Sequence, residues 1–343
     1  MRQLNYIRPG VLDWHDVTAP ALESDVGALV RPLLVSTCDM DGVVISGRVP
    51  LRGPVPVGHE GVAEVLEVGA NVRLVKPADQ VLVPWKISCG FCANCAVGHT
   101  AHCLTVPREA AYGWGPTSRE NGGFLADVVA VPFADHMLCP LPAGVAAELA
   151  VGVADNITDA WRAVGPPLNA RPGGSVLIAG GAGPGSIGLF AAGLAAALGA
   201  GRVVYLDDDP ERVSIAARIG AETLSRDAYG ESGETFDVTV DASGDPGMPA
   251  QLLLATEANG VCTSTAAATY AGRNVALPML HMYRQALTFT TGWAHTRAIM
   301  EAPLQLLADR LYDPSPVLPS PLPFSAAVDA LTDPFVKLLF ASD

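Results

Sequence analysis

Two textures divide the chain. Up to about residue 150 the apolar positions come in short Val-rich runs, Val62–Val68, Val81–Trp85 and Val128–Val131, bounded by Gly, Pro, Asn or Asp. Such runs predict β-strands. Beyond that point long apolar helical stretches alternate with buried runs. Ser175–Ala179 reads as a strand, Ile187–Leu198 as a helix, Val203–Leu206 as a second strand and Pro210–Ile219 as a helix stopped by Gly220. Phe236–Asp241, Gly260–Ser264 and Leu287–Thr291 predict further strands. Strands alternating with helices imply a parallel sheet covered on both faces. Pro314, Pro316, Pro319, Pro321 and Pro323 then hold the backbone extended. The apolar run Phe335–Phe340 that follows needs a packing partner, so the tail is expected to return to the first domain.

Composition narrows the picture. Half of the 343 residues are hydrophobic and 16% are charged, which supplies a large core and excludes intrinsic disorder. Lys and Arg number 21 against 35 Asp and Glu, a net charge of −14, which opposes binding to nucleic acid or anionic membranes. The start, MRQLNYIRPGVLDWHD, has no apolar signal-like core. The apolar stretch 187–200 is shorter than the about 20 residues a bilayer requires. A cytoplasmic protein with no membrane partner is expected.

The first chemical signal follows the strand at Ser175–Ala179. In Gly180-Gly-Ala-Gly-Pro-Gly-Ser-Ile-Gly188, residues Gly183, Gly185 and Gly188 satisfy GxGxxG between a strand and a helix. Glycines there permit a tight turn and close backbone approach to a pyrophosphate, which the helix-start amides around Ser186 and Ile187 would bind. The next strand ends at Asp207, about 20 residues on, where a carboxylate would accept ribose hydroxyls. An acid there disfavours a 2′-phosphate, so NAD(H) is expected over NADP(H). Asp208 and Asp209 reinforce that sign, and Arg212 works against it. The competing reading is a Gly-rich turn in an unrelated α/β domain.

The second signal is Cys89-x2-Cys92-x2-Cys95-x7-Cys103. Four thiolates from one loop would fill the tetrahedral shell of zinc and leave no open position, which makes a structural site. Paired disulfides and an iron–sulfur cluster are the alternatives. An odd total of seven cysteines fits poorly with a disulfide framework. His99 and His102 lie in the loop and are expected at the surface. Cys139 and Cys262 read as buried strand-end cysteines, and His15, His136, His281 and His295 as structural or surface groups.

Gly58-His-Glu60, the cysteine loop, Gly122-Gly-Phe-Leu-Ala-Asp-Val-Val-Ala-Val-Pro132 and the glycine loop stand in an order that resembles the zinc-containing medium-chain alcohol/polyol dehydrogenases, part of the medium-chain dehydrogenase/reductase superfamily. The resemblance covers nearly the whole chain. It implies an α/β protein with a GroES-like β-rich catalytic domain, residues 1–150 and 292–343, carrying the structural zinc loop 89–103. A Rossmann doubly wound parallel sheet over 151–291 would interrupt it. It also implies a catalytic zinc on Cys38, His59 and Asp155, the last opening Asp-Asn-Ile-Thr-Asp-Ala-Trp161. Two anionic ligands and one imidazole would neutralise the ion and leave one position for a substrate oxygen. Taken alone, Asp155 also suits a helix N-cap. Asp41 resembles the carboxylate that orients the ligand histidine, and Glu60 the acid behind, or transiently on, the metal. Lys337 would meet the pyrophosphate. Relatives form homodimers or homotetramers, and Leu287–Thr291 offers a sheet edge for such pairing.

The pattern also breaks. Met40 replaces the Ser or Thr that relays the substrate proton in alcohol-oxidising members, and a thioether cannot donate. Val43 replaces a frequent His, Asp159 stands where many relatives carry Thr near the nicotinamide, and Ala63 replaces a Gly. Proton exchange would then use Glu60, Asp39, Asp159 or water. The expected activity is hydride transfer between NAD(H) and an alcohol, aldehyde or ketone, with two zinc ions per chain. The rivals are reduction of a C=N or conjugated C=C bond, motivated by Met40, and a nucleotide-binding relative without turnover.

Overall fold

In the computed structural model the chain divides into two compact units. The first comprises Met1–Thr158, Ala294–Arg310 and Leu318–Asp343, and the second Asp159–Trp293 and Leu311–Val317. The structure describes residues 1–115, 117–181, 183–230, 233–270 and 272–343. Among the described residues no helix is long and apolar enough to cross a membrane.

The first unit is built from short, mostly antiparallel strands. Strands β1 (Arg2–Arg8) and β2 (Val11–Asp16) form a hairpin, and β4 (Val55–Pro56) adds to β1. The larger sheet centres on β3 (Ala28–Ser36) against β5 (Glu60–Val68), with β6 (Gln80–Val83) and β8 (Cys139–Pro140) beyond β5 and β7 (Val129–Val131) also on β3. The β3–β5 register sets Ser36 opposite Glu60 and Val35 opposite Gly61. That pairing draws the segment after β3 and the residue before β5 to one end of the sheet. Val30, Val35, Val65, Tyr112, Phe124 and Phe340 are buried in one core.

The second unit is a six-stranded parallel sheet. Its strands are β9 (Ser175–Ala179), β10 (Arg202–Leu206), β11 (Glu222–Leu224), β12 (Phe236–Asp241), β13 (Thr256–Ser264) and β14 (Thr288–Thr291). Their spatial order, β11-β10-β9-β12-β13-β14, reverses direction beside β9, the doubly wound arrangement that binds ligands beyond the strand ends at the switch point. Strand β13 begins before the expected Gly260, because its register against β12 shifts in a bulge where Asn259 takes φ 59°. The helix Pro210–Ile219 has an Asp209 N-cap, proline in its first turn and a left-handed Gly220 at its end. The tail forms β15 (Leu322–Pro323) and β16 (Leu339–Ala341), and Phe340 of β16 pairs with Val35 of β3.

Candidate metal centres and dinucleotide loop

Three elements of the first unit place the dispersed donors. Cys38 caps the helix Asp39–Ile45 that follows β3, and its backbone N–H donates to Asp41 Oδ2 at 2.7 Å. His59 directly precedes β5. Gly58 before it sits at φ 88°, where a Cβ would stand 2.7 Å from Leu125 N. Asp155 ends the 3-10 turn Val151–Ala154. The ligand atoms of Cys38, His59 and Asp155 lie within 4.8 Å of one another, and all three residues are buried.

His59 Nε2 is 3.3 Å from Asp155 Oδ2, and His59 Nδ1 is 3.6 Å from Asp41 Oδ1. Two N/O ligands on a tetrahedral zinc, with bonds of about 2.0–2.1 Å, stand about 3.3 Å apart. The His59–Asp155 edge therefore has the right length. Nδ1 of His59 is buried with no hydrogen-bond partner in hand, and Asp41 is the carboxylate beside it.

The electrostatics ask for a cation. Burial, then the charges of Asp155 and Asp41, push the Cys38 thiol well above its ordinary range. Burial works against a charged His59, but Asp41 and Asp155 raise it to about 9. Acidic groups crowd one imidazole, and a divalent ion would neutralise them. The donor set fits zinc.

Glu60 is fully buried behind this group. Its Oε2 accepts from Lys337 Nζ at 3.0 Å, and Lys337 also donates to the Thr37 carbonyl. Burial raises the Glu60 carboxyl while Lys337 holds it down, leaving it above the usual range. Lys337, expected at a pyrophosphate, is buried with its side chain 0% exposed, and it bonds Glu60 and Thr37 within the first unit. Asp159 pairs with Arg162 one turn along its helix and is not among the converging donors. Met40 is half-buried against the first unit's core and Val43 is buried. Trp85, unremarked in the sequence, sets its ring centroid 6.0 Å from that of His59 and packs edge-on to Trp114. Its signal was positional, since it follows β6, whose Val83 pairs with Gly61 of β5.

In the cysteine loop the sulfurs of Cys89, Cys92, Cys95 and Cys103 also lie within 4.8 Å of one another. Cys92 Sγ and Cys103 Sγ are 3.9 Å apart, and all seven cysteines are free. A tetrahedral zinc with bonds of about 2.3 Å sets its sulfurs about 3.8 Å apart, whereas a disulfide needs about 2.05 Å. Backbone N–H groups of Cys92, Cys95, Leu104 and Thr105 and the Thr105 hydroxyl donate to the sulfurs. The amides of Leu104 and Cys95 bring the Cys92 thiol down, while burial pushes Cys95 up. Four adjacent thiolates need a cation. His99 and His102 are exposed and pack on His295, outside the sulfur quartet. His295 accepts from Ala101 N, and His136 bonds Ser88, so both support the loop.

In the second unit the glycine loop joins β9 to the helix Ser186–Ala197, whose N-cap Gly185 has φ 79°. A side chain on Gly181 would strike the Ser243 carbonyl, and one on Gly180 would strike Tyr205 and Asp207. Both approaches are closer than the 3.3 Å nearest contact at Gly188. Ala182, within the loop, lies outside the described residues. The helix start places Ser186, Ile187 and Gly188 at the sheet's switch point. Asp207 directly follows the last residue of β10 and is 3% exposed. Burial raises its carboxyl, yet hydrogen bonds from Arg212 and the Asp209 amide leave it below the usual range. Arg212 also donates to Gly183 O at 2.9 Å. An open carboxylate awaiting a ribose does not describe Asp207. Arg226, which donates to Gly180 O at 2.8 Å, and Tyr205, on the same face of β10 as Asp207, were missed. Strand alternation was the available signal for Tyr205.

Residues 24–143 match the alcohol dehydrogenase GroES-like domain. The chain is 34% identical over 241 residues to a glutathione-independent formaldehyde dehydrogenase of Pseudomonas aeruginosa, covering 66% of this chain and 59% of that one. The match thus spans about six-tenths of the relative's length. A zinc-type alcohol dehydrogenase-like protein of Bacillus subtilis is 26% identical over 348 residues, 91% of this chain and 90% of that one. Alcohol dehydrogenase TADH from Thermus sp. ATN1 superposes with a TM-score of 0.89 at 26% identity, covering 100% of both chains.

Proposed function

Because the chain belongs to the zinc-type medium-chain alcohol dehydrogenase family, we propose that it is a zinc- and NAD(H)-dependent oxidoreductase interconverting an alcohol with an aldehyde or ketone. The observation that carries this reading is the convergence of Cys38, His59 and Asp155, with the 3.3 Å His59–Asp155 edge. When bound, zinc polarises the substrate oxygen and the nicotinamide exchanges the hydride.

The chain's own residues do the rest. Cys38 and Asp155 supply two negative charges, and His59 supplies a neutral nitrogen through Nε2. Asp41, pinned by the Cys38 amide, is the carboxylate beside His59 Nδ1 and favours the proton there electrostatically, which leaves Nε2 to ligate. Lys337 partly offsets the upward push of burial on the Glu60 carboxyl, so a buried acid does not stand unpaired. Cys89, Cys92, Cys95 and Cys103 hold a second, closed zinc that fastens the loop. Met40 cannot pass a proton, so the proton step falls to Glu60, whose Oε1 accepts no hydrogen bond, to Asp39, to Asp159 or to water. In the second unit the 180–188 loop and helix start receive the pyrophosphate. A homo-oligomer would meet through β14 and the neighbouring helix Met279–Gln285, which exposes Met279, Leu280 and Tyr283.

The test is nicotinamide absorbance on mixing purified protein with NAD⁺ or NADH and a panel of alcohols, aldehydes and ketones. Turnover that vanishes in a folded Cys38→Ser variant is expected, and undiminished turnover refutes the assignment. A second reading, reduction of C=N or conjugated C=C bonds, rests on the half-buried Met40 thioether. It predicts poor turnover of simple secondary alcohols and a gain in alcohol oxidation for Met40→Ser.

A further inference from the structure

The acid at the end of β10 is the position from which a dinucleotide fold reads the adenosine ribose. Here Asp207 has no acceptor to offer. Its Oδ1 accepts from Asp208 N at 2.9 Å, Asp209 N at 3.1 Å and Arg212 Nη2 at 2.8 Å. Its Oδ2 accepts from Arg212 Nε at 2.7 Å and the Tyr205 hydroxyl at 3.0 Å. A carboxylate has about four lone-pair sites, and these five donors exhaust them. The pair with Arg212 is also electrically neutral, so it cannot strongly repel a phosphate. Its service is mechanical: Arg212 ties to Gly183 O, and its Cδ lies 2.6 Å from where a Cβ on Gly185 would be.

The next residue is different. The Asp208 side chain is 60% exposed. Its Oδ1 accepts the Arg226 amide at 3.2 Å, and the Arg226 guanidinium donates to Gly180 O at 2.8 Å, which keeps Asp208 beside the glycine loop. Arg226 is shared: its nitrogens stand 3.6 Å from Asp208 Oδ2 and 3.9 Å from Asp245 Oδ2. Asp209, half exposed, adds a carboxylate 3.8 Å from Arg212. Four acids (Asp207, Asp208, Asp209, Asp245) thus face two arginines (Arg212, Arg226), an excess of negative charge that resides on exposed groups.

We propose that Asp208, and not Asp207, is the residue that selects NAD(H) against NADP(H), while Asp207 braces Arg212 and the loop. The proposal rests on reading 180–188 as the dinucleotide loop, and refines it.

The experiment is equilibrium titration of the zinc-loaded full chain with NADH and with NADPH, followed by cofactor fluorescence, for wild type, Asp208→Asn and Asp207→Asn. Wild type should prefer NADH. Asp208→Asn should cut that preference about tenfold by tightening NADPH, the size expected for removing one partly solvated charge. Asp207→Asn should weaken both cofactors alike, preserve their ratio and lower Tm by about 5 °C. An unchanged NADH/NADPH ratio in Asp208→Asn, or a ratio that collapses in Asp207→Asn, overturns the proposal. Should Asp207→Asn fail to fold, the exposed Asp208→Asn variant decides alone. A wild type that binds neither cofactor overturns the dinucleotide reading and this refinement with it.

Discussion

The two donor clusters of the first unit hold a metal-ready geometry by opposite means. In the cysteine loop all four sulfurs lie within residues 89–103, and the groups that donate to them lie within 90–105. The site is written into one stretch of backbone. The Cys38–His59–Asp155 group spans 38–155, with one residue after β3, one before β5 and one after a 3-10 turn. Its charge support is more distant still, since Lys337 reaches Glu60 across 277 positions. A local site is robust because many weak donors share the load. A dispersed one depends on sheet register, and each supporting charge is singular.

That contrast can be broken in graded steps. The largest effect is expected for Cys38→Ser, which should lower kcat/KM by about 10³-fold or more, roughly 4 kcal/mol, while zinc analysis shows the loop ion retained. Loss of both ions would mean that the clusters are not independent. Next, Lys337→Met leaves buried Glu60 without its cation, a change of about 3–5 kcal/mol in unfolding free energy by urea titration. A shift below about 1 kcal/mol would show that Glu60 is supported by something other than this pair. Asp41→Asn should weaken zinc at the dispersed site about 10–100-fold in chelator competition and leave the loop ion alone. The smallest effect belongs to the local site. Thr105→Val removes one hydroxyl donor from Cys89 Sγ and should cost about 1 kcal/mol. A collapse of the loop in that variant would remove the distinction drawn between the two clusters.

The same contrast explains what could be read from the sequence. The cysteine spacing and the strand–glycine–helix passage at 175–188 are local patterns, and the helix Pro210–Ile219 announces both of its ends. The N-cap reading of Asp155 fits a helix that starts at Asn156, but its run to Ala170 is not legible, because Pro166 and Pro167 lie inside it and proline ordinarily interrupts a helix. Short β11, with Glu222 exposed, carries too little alternation to announce itself. The members of the dispersed trio were named through family resemblance, since no spacing rule joins residues 38, 59 and 155. Partners were the least legible feature. Nothing local to Lys337 points to Glu60, whereas Tyr205, Arg212 and the amides of Asp208 and Asp209 all lie within five residues of Asp207, close in sequence but with no spacing rule that names them together as its partners. Asp41 is an exception, because its place three residues after Cys38 lets it cap the same helix turn.

The central claim is that Cys38, His59 and Asp155 form a second metal centre beside the loop site. Anomalous diffraction at the zinc edge, on crystals of protein purified without chelator, tests it most directly. Two peaks are predicted, one within the sulfur quartet and one bonded to Cys38 Sγ, His59 Nε2 and Asp155 at about 2.0–2.3 Å. A single peak in the cysteine loop, with the His59 imidazolium simply bonded to Asp155, would contradict the account.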